Sequence, residues 1–88
     1  MADTFLLEVA TPERLWVREY VREAQIPCRN GYIGVLPGHA ALLSELGSGQ
    51  LTYSGDKGSG GLRISGGWVE VLDDHVRVLA DEASEEST

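Results

Sequence analysis

Apolar side chains recur at every second position along most of this chain. Phe5, Leu7 and Val9 alternate with Thr4, Leu6 and Glu8, and Leu62 and Ile64 alternate with Arg63 and Ser65. Val69 and Val71 alternate with Trp68, Glu70 and Leu72, while Val76 and Val78 alternate with His75, Arg77 and Leu79. A period of two belongs to strands with one buried face. Turn formers separate these segments: Asn30-Gly31, Pro37-Gly38, Gly47-Ser48-Gly49, the run 55–61, Gly66-Gly67 and Asp73-Asp74. Short strands at such spacing predict an all-β sandwich or barrel.

Segment 11–25, "TPERLWVREYVREAQ", breaks the rhythm. Thr11 stands where a helix N-cap would, Pro12 at the first helical position and Glu13 just after it. Trp16, Val17, Tyr20, Val21 and Ala24 then recur at helical spacing. The competing reading is two strands, 15–17 and 20–28, hinged at Arg18-Glu19, with Tyr20, Ala24, Ile26 and Cys28 on one face and Arg22 intruding. Local propensity favours the helix, and it is a weak guide.

A second irregularity lies in the strands themselves. Leu6, Trp68, Leu72 and Leu79 fall out of phase with the core sets of their own strands. On the solvent face of a sandwich they would form an apolar patch that calls for a partner; at positions buried on both faces they would not. The patch points toward a binding module rather than an enzyme.

Composition narrows the class. Eighty-eight residues suffice for one domain with a thin core, and the apolar fraction of 42% is ordinary. No stretch approaches the ~20 apolar residues of a membrane helix. No basic-then-apolar leader pattern opens the chain, and Cys28 is its one cysteine, which leads to the expectation of a cytoplasmic protein. Fourteen acidic against seven basic residues give a net charge of −7. That balance disfavours nucleic acid and anionic lipid as partners and would suit a basic protein surface.

Candidate chemistry is sparse. The run "GDKGSGG" at 55–61 resembles a phosphate cradle, but Lys57 is misplaced and the strand-like "LRIS" follows where a helix should begin. A hairpin connection and no ATP binding are expected there. His39 and His75 with Glu45 or Asp74 could make a two-His, one-carboxylate metal set, yet the spacing is not that of a ligand signature. Asp73-Asp74 reads as a turn. No cofactor is expected.

Two long blocks carry a family resemblance. "GYIGVLPGHAALL" at 31–43 and "ISGGWVEVLDDHVRVLADEA" at 64–83 follow the pattern G-x-x-G-x-x-P-G-H-A, then S-G-G-aromatic-V-E-V and V-L-A-D. In order and separation they resemble the epsilon subunits of F-type ATP synthases, as does the opening "FLLEVATPE". The resemblance implies a β-sandwich of about ten short strands over residues 1–82 and an extended rather than helical course for 16–28; composition alone makes the acidic, apolar-poor end, 83–88, a disordered tail. Departures are Arg18-Glu19 in place of a small residue, Tyr32 where an acidic residue is common, and Ala41 where proline is frequent. Family members usually continue into two helices after V-L-A-D; no helical pattern follows here, so the chain is either cut before them or short by nature, the latter being the expectation.

By resemblance the protein is a non-catalytic, monomeric rotor component, peripheral at the cytoplasmic face of the inner or plasma membrane. It would dock on the γ subunit and the c-ring and couple proton flow to ATP synthesis. The same resemblance places Gly31, Tyr32, Pro37, Gly38 and His39 in one loop against the c-ring, and Thr11, Leu43 and Val78 near γ. The rival readings are a small metal-dependent sandwich enzyme and a free-standing adaptor.

Overall fold

The computed structural model of the chain describes residues 3–85. They form eight strands: β1 (Phe5–Thr11), β2 (Arg14–Val21), β3 (Glu23–Cys28), β4 (Gly31–Val35), β5 (Leu42–Glu45), β6 (Ser48–Gly55), β7 (Gly58–Leu72) and β8 (His75–Glu85). The order is β2-β1-β8-β7-β6-β3-β4, with β5 also on β7. All neighbours run antiparallel except β1 and β8, which run parallel.

The continuous sheet becomes a two-layer sandwich because its longest strands turn a corner. β7 pairs with β6 through Ser65 and with β5 from Trp68 onward. Between these stretches Gly66 and Gly67 take φ of +71° and +106°. A Cβ on Gly67 would run into the Leu79 carbonyl oxygen, so only glycine fits. The corner's peptide groups are satisfied from the adjacent β5–β6 connection: Leu46 N–H donates to Gly67 O at 2.9 Å, and Gly66 N–H to Gly47 O at 3.1 Å. β8 bends alongside. The strands number eight, and the resemblance's about ten are reached only when β7 and β8, which run through both layers, are each counted twice.

Between the layers Phe5, Leu7, Val9, Ile26, Leu51 and Val76 are fully buried, and together with twelve further side chains they make one continuous core. Each lies at an inward phase of its strand, so burial follows directly from alternation.

Segment 11–25 is extended, and its helix-start signals serve another end. Thr11 and Arg14 close the β1–β2 hairpin around Pro12-Glu13. Thr11 Oγ1 accepts a hydrogen bond from Trp16 Nε1–H at 3.0 Å, and the Arg14 guanidinium lies 4.1 Å from the Trp16 ring centre. The strand break falls at Arg22 rather than Arg18-Glu19. Val17 and Val21 therefore point inward in β2, Ala24, Ile26 and Cys28 in β3, and Tyr20 points out. Arg22 does not intrude on the core: it is exposed and ion-paired to Asp56 at 2.8 Å.

The first three residues of the stretch expected as a tail, 83–85, are strand. Ala83, Ser84 and Glu85 pair with Ile64, Arg63 and Leu62, so β8 runs to Glu85. The remainder of the expected tail, 86–88, lies outside the described residues.

A candidate docking face

The outer face of the layer built from β2, β1, β8, β7 and β5 carries the out-of-phase residues. Strand register sets them in three rows. In the first, Tyr20, Leu6, His75 and Leu72 lie side by side; in the third, Leu15, Ala10, Leu79, Trp68 and Glu45. Between them runs a middle row of Arg18, Glu8, Arg77, Glu70 and Leu43. Rows lie about 7 Å apart, two residues along a strand, and the face is roughly 19 Å wide over five strands.

Most of the apolar members stand in water. Leu43 is 68% exposed, Tyr20 65% and Leu79 57%, with Leu15, Trp68 and Leu72 about half exposed. Leu6 is half-buried among its neighbours on the same face. Leu15 reaches this face through an irregularity. The β1–β2 register slips between Val9 and Ala10, leaving Trp16 without a partner and turning Leu15 outward opposite Ala10. Six large apolar side chains on one flat face exceed the scatter expected on a monomer's surface.

Glu8 holds the middle of the face. Its Oε1 lies 2.5 Å from His75 Nε2 and 3.8 Å from Arg77 Nε, and its Oε2 accepts from Arg18 Nε–H at 3.0 Å. The His75 hydrogen bond, opposed by partial burial and helped by Arg18, holds the Glu8 carboxyl below its ordinary value.

The residues expected near γ do not all reach this face. Leu43 ends the middle row, and Thr11 borders a shallow apolar groove with Pro12, Trp68 and Leu79. Val78 is 0% exposed and belongs to the core. Its side chain cannot touch a partner; the flanking Arg77 and Leu79 face outward instead.

The stretch expected as one loop, from Gly31 to His39, is a strand with turns at opposite ends. Ile33 and Val35 pair with Ile26 and Ala24, which makes 31–35 the strand β4. Gly31, at φ +122°, lies at the end of the sandwich near Cys28, Leu46 and the Gly67 corner. Pro37, Gly38 and His39 lie at the other end. There His39 N–H donates to Leu36 O at 3.1 Å, closing a Pro-Gly turn, and Gly38 N–H donates to Asp74 Oδ1 at 2.6 Å. The half-buried His39 ring has Nδ1 2.7 Å from Ala40 O. Tyr32 and His39 therefore share no rim. The 56–57 turn lies at the same end as His39, because Gly55 packs on Val21 and Arg22 pairs with Asp56.

The supposed metal set is likewise dispersed. His75 is held by Glu8, Glu45 by Arg29 at 3.1 Å, and Asp74 by the Gly38 amide. Among the described residues no three His, Cys, Asp or Glu side chains converge. Cys28 is buried, and burial pushes its thiol pKa up. No helix among the described residues is long and apolar enough to cross a membrane.

Comparison with known proteins matches this architecture. The family profile described as "ATP synthase, Delta/Epsilon chain, beta-sandwich domain" matches residues 4–86. The chain is similar to the ATP synthase epsilon chain of Solibacter usitatus, 59% identical over 83 residues that make 94% of this chain and 62% of that one. It is also similar to the epsilon chain of Koribacter versatilis, 45% identical over 94% of this chain and 58% of that one. Among solved structures, a chain of the Euglena gracilis mitochondrial ATP synthase (OSCP/F1/c-ring) superposes with a TM-score of 0.87 at 26% identity, covering 97% of this chain and 55% of that one. A chain of the Tetrahymena thermophila ATP synthase central stalk and c-ring shares the fold, with a TM-score of 0.77 at 17% identity over 91% and 65%. The chain thus spans about three-fifths of the length of the curated relatives it matches. With the profile matching nearly its whole length, the chain belongs to the delta/epsilon-chain β-sandwich domains of ATP synthase.

Proposed function

We propose that this sandwich is a non-catalytic rotor element of an F-type ATP synthase, docked on the γ subunit and resting on the c-ring at the cytoplasmic side of the membrane. In that position it turns with both and helps couple proton flow to ATP synthesis. The carrying observation is the flat outer face with two apolar rows flanking a charged one, a surface that gains by being covered. Family membership, and the similarity to chains of ATP synthases, support the same reading. Torque transfer also calls for a stiff body, which a continuous close-packed core supplies.

For the ring contact we favour the Asn30-Gly31 end over the Pro37-His39 end. The latter's turn is tied to Asp74 and its own backbone, leaving few free polar groups. Asn30 and Gly31 are exposed, and a groove lined by Arg29, Asn30, Leu43 and Trp68 joins them to the docking face. A subunit at the foot of a stalk needs two adjoining contact surfaces of this kind.

Capture by the tagged chain of γ and c-ring from detergent-solubilised ATP synthase tests the reading. The wild-type chain should retain both, and a folded Trp68→Asp, Leu79→Asp variant should lose γ. Retention of γ by that variant would overturn the assignment of the face.

A further inference from the structure

The middle row of the docking face is unevenly balanced. Glu8 has three basic side chains against it, Arg18, His75 and Arg77. Glu70 has none among the described residues, although it is exposed and lies directly across β7–β8 from Arg77. Its other close neighbours are apolar: Leu43 opposite on β5, and Trp68 and Leu72 two positions away on β7, all exposed. In water such a carboxylate costs nothing. Once a partner covers Leu43, Trp68 and Leu72, the same carboxylate loses its hydration and requires a positive charge. Arg77 leans toward Glu8 instead, its Nε 3.8 Å from Glu8 Oε1, and makes no ion pair with Glu70.

Resting on the reading of this face as the stalk-docking surface, we infer that Glu70 receives a basic side chain from the γ subunit, inserted between the two apolar rows. The apolar rows supply burial and tolerate sliding; the single charged contact fixes the register of the two surfaces. Of the surface's acids, Glu70 is thus the one whose neutralisation weakens the complex, while Glu8 is already satisfied within the chain.

Affinity of the chain for purified γ, measured by calorimetry at two salt concentrations, tests the inference. Glu70→Gln should weaken binding about 30-fold or more and flatten the salt dependence. The same loss should persist in an Arg77→Gln background. Unchanged affinity in Glu70→Gln, with strong loss in Trp68→Ala, would overturn the inference while leaving the docking face intact. An effect of Glu70→Gln that vanishes in the Arg77→Gln background would also overturn it, since Glu70 would then serve Arg77. If Trp68→Ala also leaves affinity unchanged, the docking reading fails and the inference with it.

Discussion

The Tyr32 hydroxyl accepts the backbone N–H of Gln50 at 2.9 Å, reaching across β3 beside Pro27. β3 and β6 pair only as far as Gln25 and Thr52, and Tyr32 takes up an amide that the ladder beyond leaves free. The aromatic ring lies over Gly49, where a Cβ would collide with Oη. Tyr32 thus has a structural task as well as an exposed ring at the proposed ring-facing end.

Removing the hydroxyl should therefore cost stability without changing the fold. Tyr32→Phe is expected to lose about 1 kcal/mol in urea unfolding. Gly49→Ala should lose more, and Gly49→Ala with Tyr32→Ala should cost less than the sum of the single changes, because removing the ring relieves the collision. Strict additivity would show that the two residues do not touch.

Gly67 should be the least replaceable glycine. Its φ of +106° and its contact with the Leu79 carbonyl both forbid a side chain, so Gly67→Ala is expected to cost about 3 kcal/mol or more. Gly58 provides the comparison: its φ of +108° is similar, but open space surrounds it, and Gly58→Ala should cost about 1–2 kcal/mol. Equal losses in thermal unfolding would mean that the corner carries only backbone strain.

Glu8 predicts an acid-sensitive face. Its carboxyl is held below the ordinary value of 4.5 in the folded chain, chiefly by His75. A depressed native pKa gives stability that is complete above the unfolded value and lost as pH falls through the native one. Glu8→Gln should thus lower the melting temperature at pH 7 and shrink the further fall as pH drops below 4.5. Asp56, held low by Arg22, leaves a residual acid limb in that variant. An unaltered acid limb in Glu8→Gln would show that the Glu8 cluster is energetically silent.

Much of this architecture is legible in the alternation of residues. Phe5, Leu7 and Val9, like Val76 and Val78, are inside because every second position is inside, and that periodicity already marked Val78 as core. Ile33 and Val35 alternate too and form a strand between the Asn-Gly and Pro-Gly turns, where the resemblance implied one loop. What alternation cannot reveal is where its phase slips. The irregularity beside Ala10 and the break at Arg22 each move the register by one residue, sending Leu15 and Tyr20 outward. Both slips are set by hairpin and corner geometry across strands, which no local run of residues encodes.

Cysteine cross-linking in the assembled ATP synthase distinguishes the two orientations of the sandwich. In a Cys28→Ser background, single cysteines would be placed at Leu43 and Trp68 on the outer face, Gly31 at one end and Lys57 at the other. Cross-links should form from positions 43 and 68 to γ, from 31 to the polar loop of the c-ring, and from 57 to neither. Cross-links from 57 to the c-ring with none from 31, or none from 43 and 68 to γ, would contradict this docking.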